Sequence, residues 1–343
     1  PRRSLAEVRA SGRFHGDERQ ASFQGDIVVD GMPLRGDLSS TLAAHPRIAA
    51  SLRAPAGLRL DRWLGPAPVR GVASAHGQAI PPGGGGSGDL QALRSVDGTL
   101  SVVTPAVHWG PYTMDDVRLS LQLQQGVLDL RELSGRLVGA SVNLSGTLDA
   151  RRSRTALEVR GSVRDIDISR TIAVARAAND FGSDNLAVAL EGKMSLADLL
   201  LQTEGETLEE LLLATTGRGS TGGHLHPVVT RGSLSMATLA TGIGRLFSTE
   251  MGFAATVIDN FVNRWIATQG SFEVGQGILT LHEHTLHGSA ATAYVTSRID
   301  PRAGTLDTRI AVDTGNTGVI DYNMSLSGPM NSPTLRPEPS QRR

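Results

Sequence analysis

From Val117 to Gln124 apolar and polar residues alternate without a break: Val117, Leu119, Leu121 and Leu123 against Arg118, Ser120, Gln122 and Gln124. A period of two marks a strand with one greasy and one wet face, whereas on a helix the same leucines would scatter around the axis. The pattern resumes after a Gln-Gly turn at Val127–Leu130 and runs on through Ala140, Val142, Leu144 and Leu148, interleaved with Ser141, Asn143, Ser145 and Thr147. A polar turn at 149–154 leads into Leu157, Val159 and Val163. Strands joined by turns this short run antiparallel, because a parallel neighbour needs a crossover of a dozen residues or more.

The unit returns about 151 residues later in the chain. Leu121 and Leu123 correspond to Phe272 and Val274, Gly126–Leu130 to Gly277–Leu281, and Leu148-Asp149 to Ile299-Asp300. The second copy continues through Ala291, Ala293 and Val295 and closes on Leu306, Ile310 and Val312. A last alternating run carries Ile320, Tyr322, Met324 and Leu326, ending at Gly328-Pro329. The fold class expected is mainly β: a curled antiparallel sheet of repeated β-meanders forming an open hydrophobic groove, capped by a few short helices.

Helical signals fall between the copies. Thr207 and Glu210 make a capping box before Leu208, Leu211 and Leu212. Two amphipathic stretches follow, one with Leu234, Ala237, Leu239, Ile243 and Leu246 and one from Ala255 to Trp265. Such faces serve core packing more often than membrane binding, so they read as a lid on a sheet end. The resulting division is a β-rich segment at 1–78, a Pro/Gly-rich linker at 79–92, a first meander at 93–205, a helical insertion at 206–265, a second meander at 266–328 and a Pro-rich disordered tail at 329–343.

Composition narrows function. Lys+Arg total 33 against 34 Asp+Glu, so no global positive field exists to condense on nucleic acid. Aromatics are only 4% against 39% hydrophobic residues, which favours long aliphatic surfaces over aromatic-anchored pockets. With no cysteine, thiolate metal sites and disulfides are impossible. No apolar run reaches the roughly 18 residues of a spanning helix, and Pro1-Arg2-Arg3-Ser4 is not the start of a signal peptide, so an anchor is expected elsewhere in a longer protein.

No motif assembles a catalytic centre. Gly217-Arg218-Gly219-Ser220-Thr221-Gly222 fits G-x-G-x-x-G but follows helical sequence and precedes strand-like sequence, the reverse of a dinucleotide site; its glycines read as a helix end and turn. His282, Glu283, His284 and His287 form the only metal-like cluster. On a regular strand His282 and His284 would share a face with Glu283 opposite, which leaves zinc without a third ligand, so a solvated polar face is expected. Nucleophile elbows and paired general acids and bases are absent from the sequence. The expectations are no enzyme, no cofactor and no metal.

With these residues laid out, the chain resembles the carboxy-terminal region of the AsmA family of bacterial envelope proteins, which includes TamB-like relatives. The resemblance rests on Leu58–Leu64 (LRLDRWL), on "DDVRLSLQLQQGVLDLRELSGRLVGASVNLSGTLDAR" at 115–151 and "ETLEELLLATTGRGSTGGHL" at 206–225. It continues in "QGSFEVGQGILTLHEHTLHGSA" at 269–290 and "MSLSGPMNSPTLRP" at 324–337. It implies a periplasmic body anchored to the inner membrane of a Gram-negative cell, whose β-groove carries phospholipid or another acyl lipid toward the outer membrane. The implied groove lining is Val117, Leu119, Leu121, Leu123, Ala140, Val142, Leu144, Leu157 and Val159 in the first copy. In the second it is Ala291, Ala293, Val295, Ile310, Val312, Met324 and Leu326. The alternative reading is a scaffold that pairs its sheet edges with outer-membrane or other envelope proteins.

Overall fold

The computed structural model describes residues 7–41, 43, 45–61, 93–110, 112–151, 154–177, 188–205, 214–229, 260–261, 264–300, 303–329 and 334–338. They fall into two compact units. Strands dominate both, with antiparallel pairing nearly throughout, as the alternating sequence requires.

The first unit holds β1 (Val8–Gly16), β2 (Gln20–Val29), β3 (Met32–Thr41), β4 (Arg47–Arg53), the two-residue β5 (Leu58–Arg59), β6 (Asp97–Trp109), β7 (Tyr112–Gln124), β8 (Val127–Leu137), β9 (Ala140–Asp149) and most of β10 (Thr155–Asp167). Successive strands are neighbours in the sheet, except that β4 and β5 lie parallel to β6. That parallel step falls where the chain has 54–96 in which to cross over, so the short-turn argument does not apply to it. Asp30-Gly31, Gln125-Gly126 and Val138-Gly139 each put two residues at positive φ between paired strand ends. These are two-residue turns of the mirror-image type that follows the right-handed strand twist.

The second unit holds helix α1 (Ile168–Ala177), most of β11 (Val188–Gly205), β12 (Thr216–Val229), β13 (Ile266–Gly275), β14 (Ile278–His287), β15 (Thr292–Asp300), β16 (Thr305–Asp313), β17 (Tyr322–Pro329) and β18 (Thr334–Glu338). From β12 to β18 each strand pairs antiparallel with the next. The sequence repeat is a structural one: Gln276-Gly277 turns between β13 and β14 with φ of 54° and 78°, matching 50° and 79° at Gln125-Gly126. A side chain at the second position would resist that conformation, which is why glycine stands there in both copies.

Four expectations change. The glycine-rich run at 216–225 is part of strand β12, inside the stretch read as a helical insertion. Two of its glycines lie under neighbours: a Cβ on Gly219 would lie 2.8 Å from the Phe272 ring, and one on Gly223 would lie 2.2 Å from the Lys193 carbonyl oxygen. Thr334–Glu338, expected in a disordered tail, pair with β17. Ile320 belongs to the turn before β17 and not to the strand. Helix α1 was not expected; Asp167 caps it, accepting from the Arg170 amide at 2.9 Å and the Ser169 hydroxyl at 2.6 Å. The capping box at Thr207 and the run at 234–246 lie outside the described residues, as do residues 255–259 and 262–263 of the third helix; Asn260 and Phe261 are helical and Trp265 is not.

Candidate functional site

Cross-strand partners share a face, so the ladders trace each face of the sheet. In the first unit Phe23, Leu38, Ala50, Leu100 and Leu121 are successive partners from β2 to β7, and Leu121 then meets Leu130 and Leu130 meets Gly146. A parallel row runs Leu52, Val102, Leu119, Leu133 and Leu144. Of the first-copy residues expected to line a groove, Val117, Leu119, Leu121, Leu123, Ala140, Val142 and Leu144 lie on this one face. Val117, Ala140 and Val142 are buried, while Leu119, Leu121, Leu123, Leu144, Leu157 and Val159 are half-buried. The opposite face is polar, with Arg118 exposed and Arg35 paired to Asp26.

The face extends beyond the expected residues. Phe23, Leu38, Leu52, Leu100 and Val102 belong to it, and their alternation with Ser22, Ser39, Ser51, Ser101 and Val103 was available in the sequence. What sequence did not contain was the parallel β4–β6 contact that joins them to the leucines of β7. One end of the face is closed by the chain itself, where Ile27, Leu34 and Ala54 form a cluster with Leu52 and Leu58 packed on it. A pocket of about 590 Å³ borders β1 to β8 on the opposite, polar face, where the row Arg13, Gln24, Asp37, Ser51, Ser101 and Ser120 lines it.

In the second unit the seven expected residues also share a face, since Ala293 partners Val312 and Val295 partners Ile310, which partners Met324. Ala291, Ala293, Val312 and Met324 are a buried cluster on which Phe261 packs, so this end is a core with its own cover. Asn260 fixes the cover, its side-chain oxygen accepting from the Ala290 amide at 2.6 Å and the Ser289 hydroxyl at 2.9 Å.

Among the polar groups on this face, one is an imidazole. β14 carries a bulge between Leu281 and His284, with Glu283 at a φ of 44°, and the extra residue turns His282 and His284 to opposite faces. The expectation that they share a face is therefore wrong: His282 sits 3.4 Å from Glu273 on the polar side, while His284 is 8% exposed on the apolar side. Among the described residues no group of three metal-ligating side chains converges. His284 lies against Gly270 and its Nε2 is 2.6 Å from Thr221 Oγ1. Burial pushes its imidazole below the ordinary histidine value. The first copy has the same bulge between Leu130 and Leu133, where Leu133 partners Leu119 and Leu119 partners Val102. Leucine, leucine and valine have become histidine, glycine and threonine together: the imidazole fills the space the missing side chain leaves and reaches its hydroxyl.

No helix among the described residues is long and apolar enough to cross a membrane, which says nothing about spanning strands. No family model matches the chain, and no solved structure matches it. It is similar to Protein AsmA of Escherichia coli (strain K12), 25% identical over 193 residues that cover 52% of this chain and 29% of that protein. The aligned stretch thus spans less than a third of its curated relative, and the match agrees with the resemblance to the AsmA family.

Proposed function

We propose that this AsmA-like chain is part of an envelope protein that shields the acyl chains of phospholipid on its apolar sheet face while they move between inner and outer membrane, supporting outer-membrane biogenesis. The observation that carries this reading is the state of the leucines in the middle of the first unit's face. Leu100, Leu119, Leu121 and Leu144 belong to unbroken aliphatic rows yet remain only half-buried. Leucines of a sealed core are nearly inaccessible, and leucines in this state retain surface that a hydrocarbon would cover.

The energetics suit the role. Each CH₂ moved out of water gains about 0.8 kcal/mol, so a chain of roughly 16 carbons would forfeit on the order of 12 kcal/mol if it crossed water bare. A lining of Leu, Val and Ala offers that gain at every step without a charge to hold the headgroup. The role calls on no catalytic group, cofactor or metal. A periplasmic location with an inner-membrane anchor, supplied by a longer protein, is part of the proposal.

The test is lipid extraction and mass spectrometry on protein purified in gentle detergent. Phospholipid retained near stoichiometry, and lost when Leu121 is replaced by Asp, supports the reading; no lipid above background refutes it. A second reading has one observation in its favour. Among the described residues β1 pairs with β2, and all nine residues of β1 are exposed, so an edge here can accept a strand from an envelope protein. Photocrosslinkers at Arg9 and at Leu121 separate the two: polypeptide trapped at Arg9 favours a scaffold, and lipid trapped at Leu121 favours transport.

A further inference from the structure

One end of the second unit carries a feature the acyl-chain reading does not use. The ladders place Ile266, His287, Thr292, Asp313 and Tyr322 at the same end of β13 to β17. Trp265 stands just before Ile266, and Val319 sits in the turn between Asp313 and Tyr322. Trp265 is 61% exposed and Val319 62% exposed, about three strand spacings, or roughly 14 Å, apart.

The turn that displays Val319 is braced. Asp313, 1% exposed, accepts from the Thr317 amide at 3.0 Å and the Gly318 amide at 2.6 Å. Asp321 accepts from the Thr314 amide at 2.8 Å and its hydroxyl at 2.7 Å, and Thr292 donates to the Asn316 side chain at 2.7 Å. A turn fixed at both ends could have hidden its valine at no cost in hydrogen bonds; instead it holds the side chain outward. Trp265 is also held, its ring stacked on His226 with centroids 5.0 Å apart and an angle of 17°.

We propose that this end seats on a phospholipid bilayer, with Trp265 and Val319 entering the headgroup layer. Among the described residues these two apolar side chains stand apart among hydroxyls, too small and too separate for a protein interface, which needs a contiguous patch of about 800 Å² per partner. They suit a bilayer boundary, where tryptophan is favoured because one part of its ring system is apolar and its N–H stays wet. The charges agree. The two turn carboxylates, Asp313 and Asp321, are engaged by loop donors, Glu191 is 3.4 Å from the His226 ring, and Arg264 beside Trp265 is exposed to meet lipid phosphate. This inference does not depend on whether acyl chains ride the sheet.

The chain contains no cysteine, so a single one can report position. Val319→Cys, and as a control Thr305→Cys at the other end of β16, are each labelled with a polarity-sensitive dye. Each is mixed with vesicles of phosphatidylethanolamine and phosphatidylglycerol. A blue shift at 319 alone is expected; a shift at neither site, or equally at both, overturns the proposal. In vesicle sedimentation Trp265→Ser should weaken binding roughly tenfold, while Phe14→Ser, which removes a still more exposed ring from the first unit, should leave it unchanged. Equal losses would mean general stickiness and would also overturn it. Parent protein that copurifies with no lipid above background yet binds vesicles would sink the acyl-chain reading and leave this one standing.

Discussion

His284 Nε2 and Thr221 Oγ1 lie 2.6 Å apart on a largely apolar face, bridging β14 to β12 across the glycine at 270. The pair has a consequence for pH. Because burial depresses the His284 pKa, the folded chain takes up that proton less readily than the unfolded chain. Stability from this group is therefore whole above about pH 6.5 and declines as the pH falls through that value toward the folded pKa. Urea midpoints measured from pH 7.5 to 5 should show the decline, and His284→Asn should flatten it. An equally steep profile in the variant would assign the effect to other groups.

Gly219 gives the Phe272 ring room to lie on β12. Gly219→Val places a Cβ 2.8 Å from that ring and should cost about 1–3 kcal/mol, read as a lowered Tm. Phe272→Leu in the same chain should recover part of the loss. A Gly219→Val protein that melts like the parent would mean that the ring has another place to go.

Val138 occupies the first position of a mirror-image turn at a φ of 55°, where a β-branched side chain is strained. Val138→Asn should raise stability by roughly 0.5–1 kcal/mol, since asparagine tolerates the left-handed region. Thermal melts check it, with Leu137↔Ala140 pairing preserved. A lower Tm would mean that the valine makes a packing contact worth more than the strain.

Leu121 and Val142 share a face but not an environment, half-buried and 5% exposed respectively. Val142→Asp should destabilise by about 3 kcal/mol or more, because a carboxylate there has neither water nor a partner. Leu121→Asp should fold with a near-normal Tm and lose bound lipid. If both variants collapse, the face is a sealed core and the scaffold reading gains.

Several carboxylates sit below their usual pKa range, among them Asp26 through the Arg35 guanidinium, Asp97 through the Gln125 amide and Asp321 through Thr314. A depressed carboxylate contributes stability that is present above about pH 4 and lost as the pH falls through its folded value. Acid titration followed by circular dichroism should show an unfolding limb below about pH 4. Asp97→Asn should make that limb shallower; an unchanged limb would exclude Asp97 as a contributor.

The sequence by itself determined the strands of the two meanders, their apolar faces and their equivalence, because a period of two and a Gln-Gly turn are local properties. Val117 to Gln124 and Ile278 to Leu281 needed no partner to be legible. Tertiary structure decided what depends on a neighbour. It made the glycine-rich run at 216–225 a strand, in which Gly219 and Gly223 are explained by Phe272 and the Lys193 backbone packed against them, and nothing in the run itself says so. It split His282 from His284, because a bulge is fixed by the count of residues on the two facing strands. The parallel β4–β6 contact, set by a chain crossing of many residues, joined Phe23 and Leu38 to the leucines of β7 and made one wide face from two narrow ones. Alternation tells which side of a strand is greasy; only the neighbours tell how far that side extends and what is left uncovered.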